Sequence, residues 1–354
     1  MTTPVVASAL APAIDIHTHF VPRNMPQRPH GALEETWPSM VPAQTCGHRH
    51  VMIAGSVFRT VTDQCWSAPR RIEDMASMGI THQVLSPMPE LLSYWLPARD
   101  AQVLLRDVNE QMAQLVANHP GRFSALGAVP LQDVDMAIDE LEYAKHTLKL
   151  AGVEIGSNIN GLPVGAPALD PFFAAAARLD MPVFVHAQRP AGLERLVGPP
   201  ILEAALAFAN EIGNAAASAI TGNLLPRHPG LRIGFSHGGG SLAMLLPRLQ
   251  HAWTVFPALR ETMPVAPVAQ ARLLFFDTLV YDAKTLRYLV QRFGDGQLMV
   301  GTDYPFAIRE TDPIGRLAEA GFDPAIVARL RHDNAARFLS GPGAPAPVPA
   351  APHP

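Results

Sequence analysis

Eight short apolar runs, separated by longer helical patterns, constrain the fold of this chain more than any other feature. The runs are AIDIHTH (13–19), ITHQVLSPM (80–88), RFSALGAVP (122–130), GVEIGS (152–157), PVFVHAQ (182–188), RIGFSHGGG (232–240), LFFDTLVYD (274–282) and LMVGTDYP (298–305). Helical patterns fill the intervals near 69–78, 98–118, 133–149, 168–180, 201–225, 241–252, 283–293 and 323–339. Strands covered on both faces by crossover helices read as continuous apolar runs rather than as alternating ones. Eight such β–α units predict an α/β fold, the (β/α)8 TIM barrel. A doubly wound sheet is the alternative, but no Gly-x-Gly-x-x-Gly follows the first run.

One interval breaks the rhythm. Residues 20–66 hold many prolines, glycines and polar residues, and a loop this long inside a compact domain is usually functional. It reads as a small β insertion over the barrel mouth, with a hairpin around HVMIAGSVFRTV (50–61). The barrel domain is expected over 1–340, followed by a disordered Pro/Ala-rich tail, GPGAPAPVPAAPHP (341–354), which cannot pack a core.

Of the 354 residues, 48% are hydrophobic and 16% charged, so a large core is within reach. The net charge of −4 gives no electrostatic reason to expect nucleic acid or an anionic membrane as partner. No apolar run is long enough to span a membrane. MTTPVVASAL at the start lacks the basic region and the apolar length of a secretory signal. A soluble cytoplasmic protein is expected. Cys46 and Cys65 are the only cysteines, which excludes a disulfide framework and a thiolate zinc site.

Catalytic residues of a TIM barrel stand at the C-terminal ends of its strands. Here those ends carry His17 and His19 (first run), His186 (fifth), His237 (sixth) and Asp303 (eighth). Alternate side chains of a strand share a face, so Asp15, His17 and His19 point one way and two imidazoles converge. With fourteen histidines in the chain a single one means little, but five polar residues at matching strand ends mean more. Three imidazoles and a carboxylate form a donor set that suits Zn2+ and accepts Mn2+, Fe2+ or Co2+. His17, His19, His186 and Asp303 are therefore the expected ligands of one divalent metal, with an open position for water. His237 is expected as the general acid/base, since imidazole titrates in the right range. Asp15 either orients a ligand histidine or is an ordinary strand-end residue.

CGHRH (46–50) holds a second His-x-His, but no apolar strand precedes it, so pocket lining or surface is expected there. His82, His119, His146, His228 and His332 fall in helix or connector positions and read as structural. The glycines of SHGGG (236–240) let the chain turn tightly at a strand end.

These residues, with DIHTHFVP, FRTVTDQCW (58–66), LSYW (92–95), FSHGGG (235–240) and GTDYPF (301–306), resemble the amidohydrolase superfamily. The likeness covers about residues 13–339 and falls in the branch of metal-dependent non-oxidative decarboxylases, among the aminocarboxymuconate-semialdehyde decarboxylases. The resemblance implies a barrel with a small inserted β subdomain, a homodimer, and zinc as the usual metal. It puts the family's ligand pattern on His17, His19, His186 and Asp303 and its catalytic histidine on His237. It also makes Arg59 the clamp for a substrate carboxylate, which a guanidinium grips with two bonds. Glu154 stands where many binuclear relatives carry a carboxylated lysine, which favours a single metal.

Departures concern the substrate contacts. Ala187 and Gln188 replace a proline and a tryptophan, Phe256 falls where an arginine supplied across the dimer is expected, and a lysine before FRTV is missing. The reading is a carboxy-lyase for an aromatic or unsaturated small-molecule carboxylate, in catabolism of an aromatic compound and on a different acid from the family's reference substrate. The rival is a hydrolase of the same superfamily that opens a lactone, an amide or a ring.

Overall fold

The computed structural model describes residues 11–32 and 37–341. In chain order its strands are β1 (Ile14–Phe20), β2 (Ser39–Pro42), β3 (Arg49–Ile53), β4 (Ser56–Val61), β5 (His82–Pro87), β6 (Phe123–Gly127), β7 (Gly152–Gly156), β8 (Asn158–Ile159), β9 (Leu162–Pro163), β10 (Val183–His186), β11 (Ile233–Phe235), β12 (Phe275–Asp277) and β13 (Leu298–Met299). Eight of these form one parallel sheet in the order β1-β5-β6-β7-β10-β11-β12-β13. The segment after β13 closes it: the Ile16 amide donates to Val300 O (2.9 Å), the Asp303 amide donates to His17 O (2.9 Å), and Thr18 bridges Tyr304 in parallel. The result is the TIM barrel that the apolar runs predict.

The helices between the strands start where local chemistry satisfies their free amides. Asp133 accepts from the Met136 amide (3.0 Å) ahead of Val134–His146, and Asp282 from the Thr285 amide (2.7 Å) ahead of Ala283–Phe293. Helix Ala68–Ser77 follows Ser67 and has Pro69 in its first turn, where a missing N–H costs nothing. Helix Asn334–Ser340 covers the bottom of the barrel. Its Phe338 ring lies 6.4 Å from that of Phe184, which in turn lies 5.6 Å from the His17 ring at the mouth.

β2, β3 and β4 form an antiparallel meander between β1 and the first helix, with the hairpin at β3–β4. Val51 and Val61 of this insertion join Val21, Cys65, Met88, Leu91 and Phe306 in a small core of their own at the mouth. Arg71 is fully buried beneath it. Its guanidinium donates to the carbonyls of His19 and Cys65 and to Gln83 Oε1, so it ties the first helix to β1 and β5.

The strands are shorter than the apolar runs: the sixth, seventh and eighth end at Phe235, Asp277 and Met299. Beyond those points the amides leave the ladder for side chains. His237 N and Gly238 N donate to Asp277, and Thr302 N donates to Asp15. His237 and Asp303 thus sit on loops just past the strand ends, in left-handed backbone at φ 52° and φ 64°. The tail from residue 342 and the N-terminal residues 1–10, where a signal segment was sought, lie outside the described residues.

Candidate metal centre

His17 and His19 reach the mouth from β1, His186 from the end of β10 and Asp303 from the loop after β13. One donor atom from each lies within 4.8 Å of the others, and all four residues are buried. His19 Nε2 is 2.8 Å from Asp303 Oδ1, His17 Nε2 is 3.4 Å from the same oxygen, and the two Nε2 atoms are 3.1 Å apart. Ligands about 2.1 Å from a tetrahedral ion lie about 3.4 Å from one another, so these spacings fit a shared cation.

The far side of each ring has an acceptor. His17 Nδ1 meets Asp277 Oδ2 (2.7 Å), His19 Nδ1 meets Pro87 O (3.4 Å) and His186 Nδ1 meets Ala187 O (2.9 Å). Donating from Nδ1 leaves the Nε2 lone pairs aimed at the common point. His186 Nε2 is buried and has no hydrogen-bond partner, a cost of about 1–3 kcal/mol unless something binds there. The donor set and this orphaned nitrogen both fit a divalent ion.

Protein charges alone agree. Burial pushes His19 down to about 4 against the pull of Asp303, and drives His186 well below the ordinary range with its neighbouring histidines adding to the effect. Both are neutral imidazoles, the form that binds metal. At His17 burial also acts downward, but the hydrogen bond and charge of Asp277, with Asp303 behind, raise it to about 9. The carboxylates call for positive charge at this point, and a cation supplies it as well as a proton does.

Asp277 is the residue that sequence reasoning missed. It accepts from His17 Nδ1 and from the amides of His237 (2.9 Å), Gly238 (2.7 Å) and Leu279 (3.0 Å). Its signal was the lone acid closing the FFD of the seventh run. Asp15 does not touch a histidine ring. It accepts from Thr302 N (3.1 Å), Thr302 Oγ1 (2.6 Å) and the His17 amide (3.3 Å), fastening β1 to the last loop, and burial pushes it up to about 7 against those bonds.

His237 stands beside the cluster without joining it. Its ring centroid is 5.1 Å from that of His186 and 5.4 Å from that of His17, and its Nδ1 is held by Ser236 Oγ at 2.8 Å. Burial and the charge of His17 lower its pKa. Arg59, from β4 of the insertion, reaches into the same small cavity of about 30 Å3, which His186, His237, Asp303, Phe208, Tyr281 and Phe306 also line. Its guanidinium lies 4.1 Å over the Phe306 ring and 3.8 Å from Glu90. Glu154 is fully buried on β7, and burial pushes it up to about 8, which leaves it neutral. The four-residue group is the one cluster of this kind among the described residues.

His48 and His50 stay apart from the centre. His50 bonds Thr60 Oγ1 (2.9 Å) and His48 meets Cys46 O (3.2 Å). His48 lines a groove of about 940 Å3 between the insertion and helix Ala98–Asn118, larger than the space over the cluster but without its donors. His82 and His228 are hydrogen-bonded structural residues, to Gly121 O and Ser124 Oγ and to Asp170 respectively. Phe256 is 57% exposed, at the end of helix Leu242–Val255.

A closed parallel barrel with three imidazoles and a carboxylate converging at its mouth defines the class: a TIM-barrel enzyme built around a metal. The chain belongs to the amidohydrolase family, which it matches over residues 14–341. It is 34% identical to a 2-amino-3-carboxymuconate-6-semialdehyde decarboxylase of Dictyostelium discoideum, covering 92% of this chain and 91% of that one. Among solved structures it resembles 5-carboxyvanillate decarboxylase LigW from Sphingomonas paucimobilis (25% identity, TM-score 0.72, 78% of this chain and 84% of that one). It shares its fold with a dihydroxybenzoic acid decarboxylase from Polaromonas sp. JS666 that holds manganese (21% identity, TM-score 0.72, 93% and 96%).

Proposed function

We propose that this chain is a metal-dependent, non-oxidative decarboxylase of an aromatic or unsaturated carboxylic acid. His17, His19, His186 and Asp303 would hold one divalent cation, zinc first and manganese next, because imidazole and carboxylate donors suit both. When bound, the cation supplies the positive charge that makes the reacting carbon electron-poor. Arg59 grips a carboxylate of the substrate and fixes its orientation. His237 brings a proton to the ring or alkene carbon. There the C–CO2 bond breaks, its electron pair stays on carbon, and the proton takes the place of CO2. Asp277 holds the His237 amide and the His17 ring in register, so donor and proton carrier share one support.

The observation that carries this reading is the shared cavity: a carboxylate clamp, Arg59, and a proton carrier, His237, face one space beside the four donors. The chain's likeness to decarboxylases supports the choice over the hydrolase alternative. We also propose a homodimer built on the exposed apolar residues of helix Leu242–Val255 and its end, Met244 (71% exposed), Leu245, Val255 and Phe256.

The test incubates purified, metal-loaded protein with hydroxylated and dicarboxylated aromatics and with muconate semialdehydes in 18O-water. CO2 release with loss of one carbon is expected, and Arg59→Ala should lower kcat/KM for it by about tenfold or more, with Arg59→Lys a partial substitute. Product that keeps every carbon and gains 18O at a carbonyl would establish the hydrolase instead.

A further inference from the structure

The small cavity over the metal residues does not end at Arg59. Arg59, Glu90, Ala204 and Phe208 are shared with an adjoining cavity of about 380 Å3, which runs outward past Trp95, Gln188 and Arg189. Arg189 lies three residues beyond His186, and its guanidinium carbon sits 4.3 Å from the centre of the Trp95 ring. Stacking on an aromatic face holds a guanidinium plane in place while leaving its N–H donors free at the edge. Those donors have no hydrogen bond or ion pair among the described residues. The backbone at Arg189 is left-handed, φ 42°, directly before Pro190, a conformation a non-glycine residue adopts only when its surroundings hold it. Positive φ recurs at three residues of the inner cavity: His237, Tyr281 and Asp303. Arg189 is itself exposed, at the open outer end of this cavity, and no carboxylate of the described residues pairs with its guanidinium.

We propose that Arg189 is a specificity-determining residue that binds a second anionic group of the substrate at the outer end of this pocket. The inference rests on the decarboxylase reading only for what happens at the inner end. Arg59 takes the carboxylate beside the metal residues, and Arg189, on its Trp95 platform, takes a carboxylate at the far end of the same molecule. The second arginine is therefore supplied within the chain, on the loop after β10, whereas Phe256 leaves the helix end without one. Glu203 faces the outer cavity too, so a substrate with a neutral or cationic outer group is the competing outcome.

The experiment measures binding, not turnover, by titration calorimetry on the metal-loaded full chain. Terephthalate and trans-4-carboxycinnamate are compared with benzoate and trans-cinnamate, their monoacid counterparts. The wild-type protein should bind at least one diacid on the order of tenfold tighter than its monoacid, the range for a charge-assisted contact. Arg189→Ala should erase that gain, keep the metal content and leave the monoacids unchanged. Arg189→Lys should restore part of the gain, while Arg59→Ala should weaken all four ligands. A diacid preference that survives Arg189→Ala, its absence from the wild type, or equal weakening of both acids in a pair overturns the assignment. If the diacid gain depends on Arg189 and no carboxylate releases CO2, the decarboxylase reading fails and this one stands. CO2 release without a diacid gain gives the reverse.

Discussion

His186 is a buried imidazole and His237 a half-buried one at the same mouth, and the two are held differently. The Nε2 of His186 has no partner and faces three other donors, whereas His237 lies outside that group with its Nδ1 on Ser236. His237→Ala should therefore keep its metal and lose turnover by roughly 10²–10⁴-fold, read from metal analysis beside kcat. Metal loss rescued by excess ion would make it a ligand instead. Asp277→Asn tests the support beneath: weaker charge on the His17 ring should lower metal affinity by about 10–100-fold in a competition titration. Unchanged affinity would reduce Asp277 to a loop fastener. The five strand-end residues were legible because a polar group that ends an apolar run stands out in a parallel barrel. Asp277 obeyed the same rule but was hidden by the site's apparent completeness without it. The role of Asp15 was not legible, because an acid on the histidine face of a strand can turn to a ring or to a neighbouring amide. Only the folded loop carrying Thr302 decides between them.

At the scale of elements, the loop from Ser236 to Ser241 bears the tightest backbone constraint at the site. A Cβ on Gly240 (φ 56°) would overlap the Ala209 carbonyl oxygen, and one on Gly238 (φ 61°) would fall 2.5 Å from Val280. Gly240→Ala should cost more than about 2 kcal/mol, seen as a lower denaturant midpoint with unchanged slope. A stability within error of the wild type would show that the turn can relax. All eight strands and the hairpin at 49–61 could be read from apolar pattern and turn residues. The short helices Pro257–Thr262, Pro267–Ala271 and Pro313–Glu319 could not, since five to seven residues hold too few turns for a period to emerge. The ends of the strands were also overrun by the apolar runs, because burial continues past the point where the ladder stops and side-chain acceptors take over.

The whole molecule presents a question of assembly and one of order. Met244→Glu together with Phe256→Glu should turn a species of twice 38.1 kDa in light scattering into one of 38.1 kDa, if helix Leu242–Val255 is the dimer face. A wild type that already runs at 38.1 kDa would remove the dimer. The other question follows from how the barrel closes. His17 lies near one end of the described chain and Asp303 near the other, and the Asp303 amide is fastened to the His17 carbonyl. A ribosome making this protein places both β1 histidines first and the carboxylate some three hundred residues later. A nascent or truncated chain that ends between His186 and Asp303 carries the three imidazoles but lacks the oxygen donor and the segment that seals the cylinder. Full coordination would then depend on a chain made through the loop that closes the barrel, the last of the four donors to be synthesised.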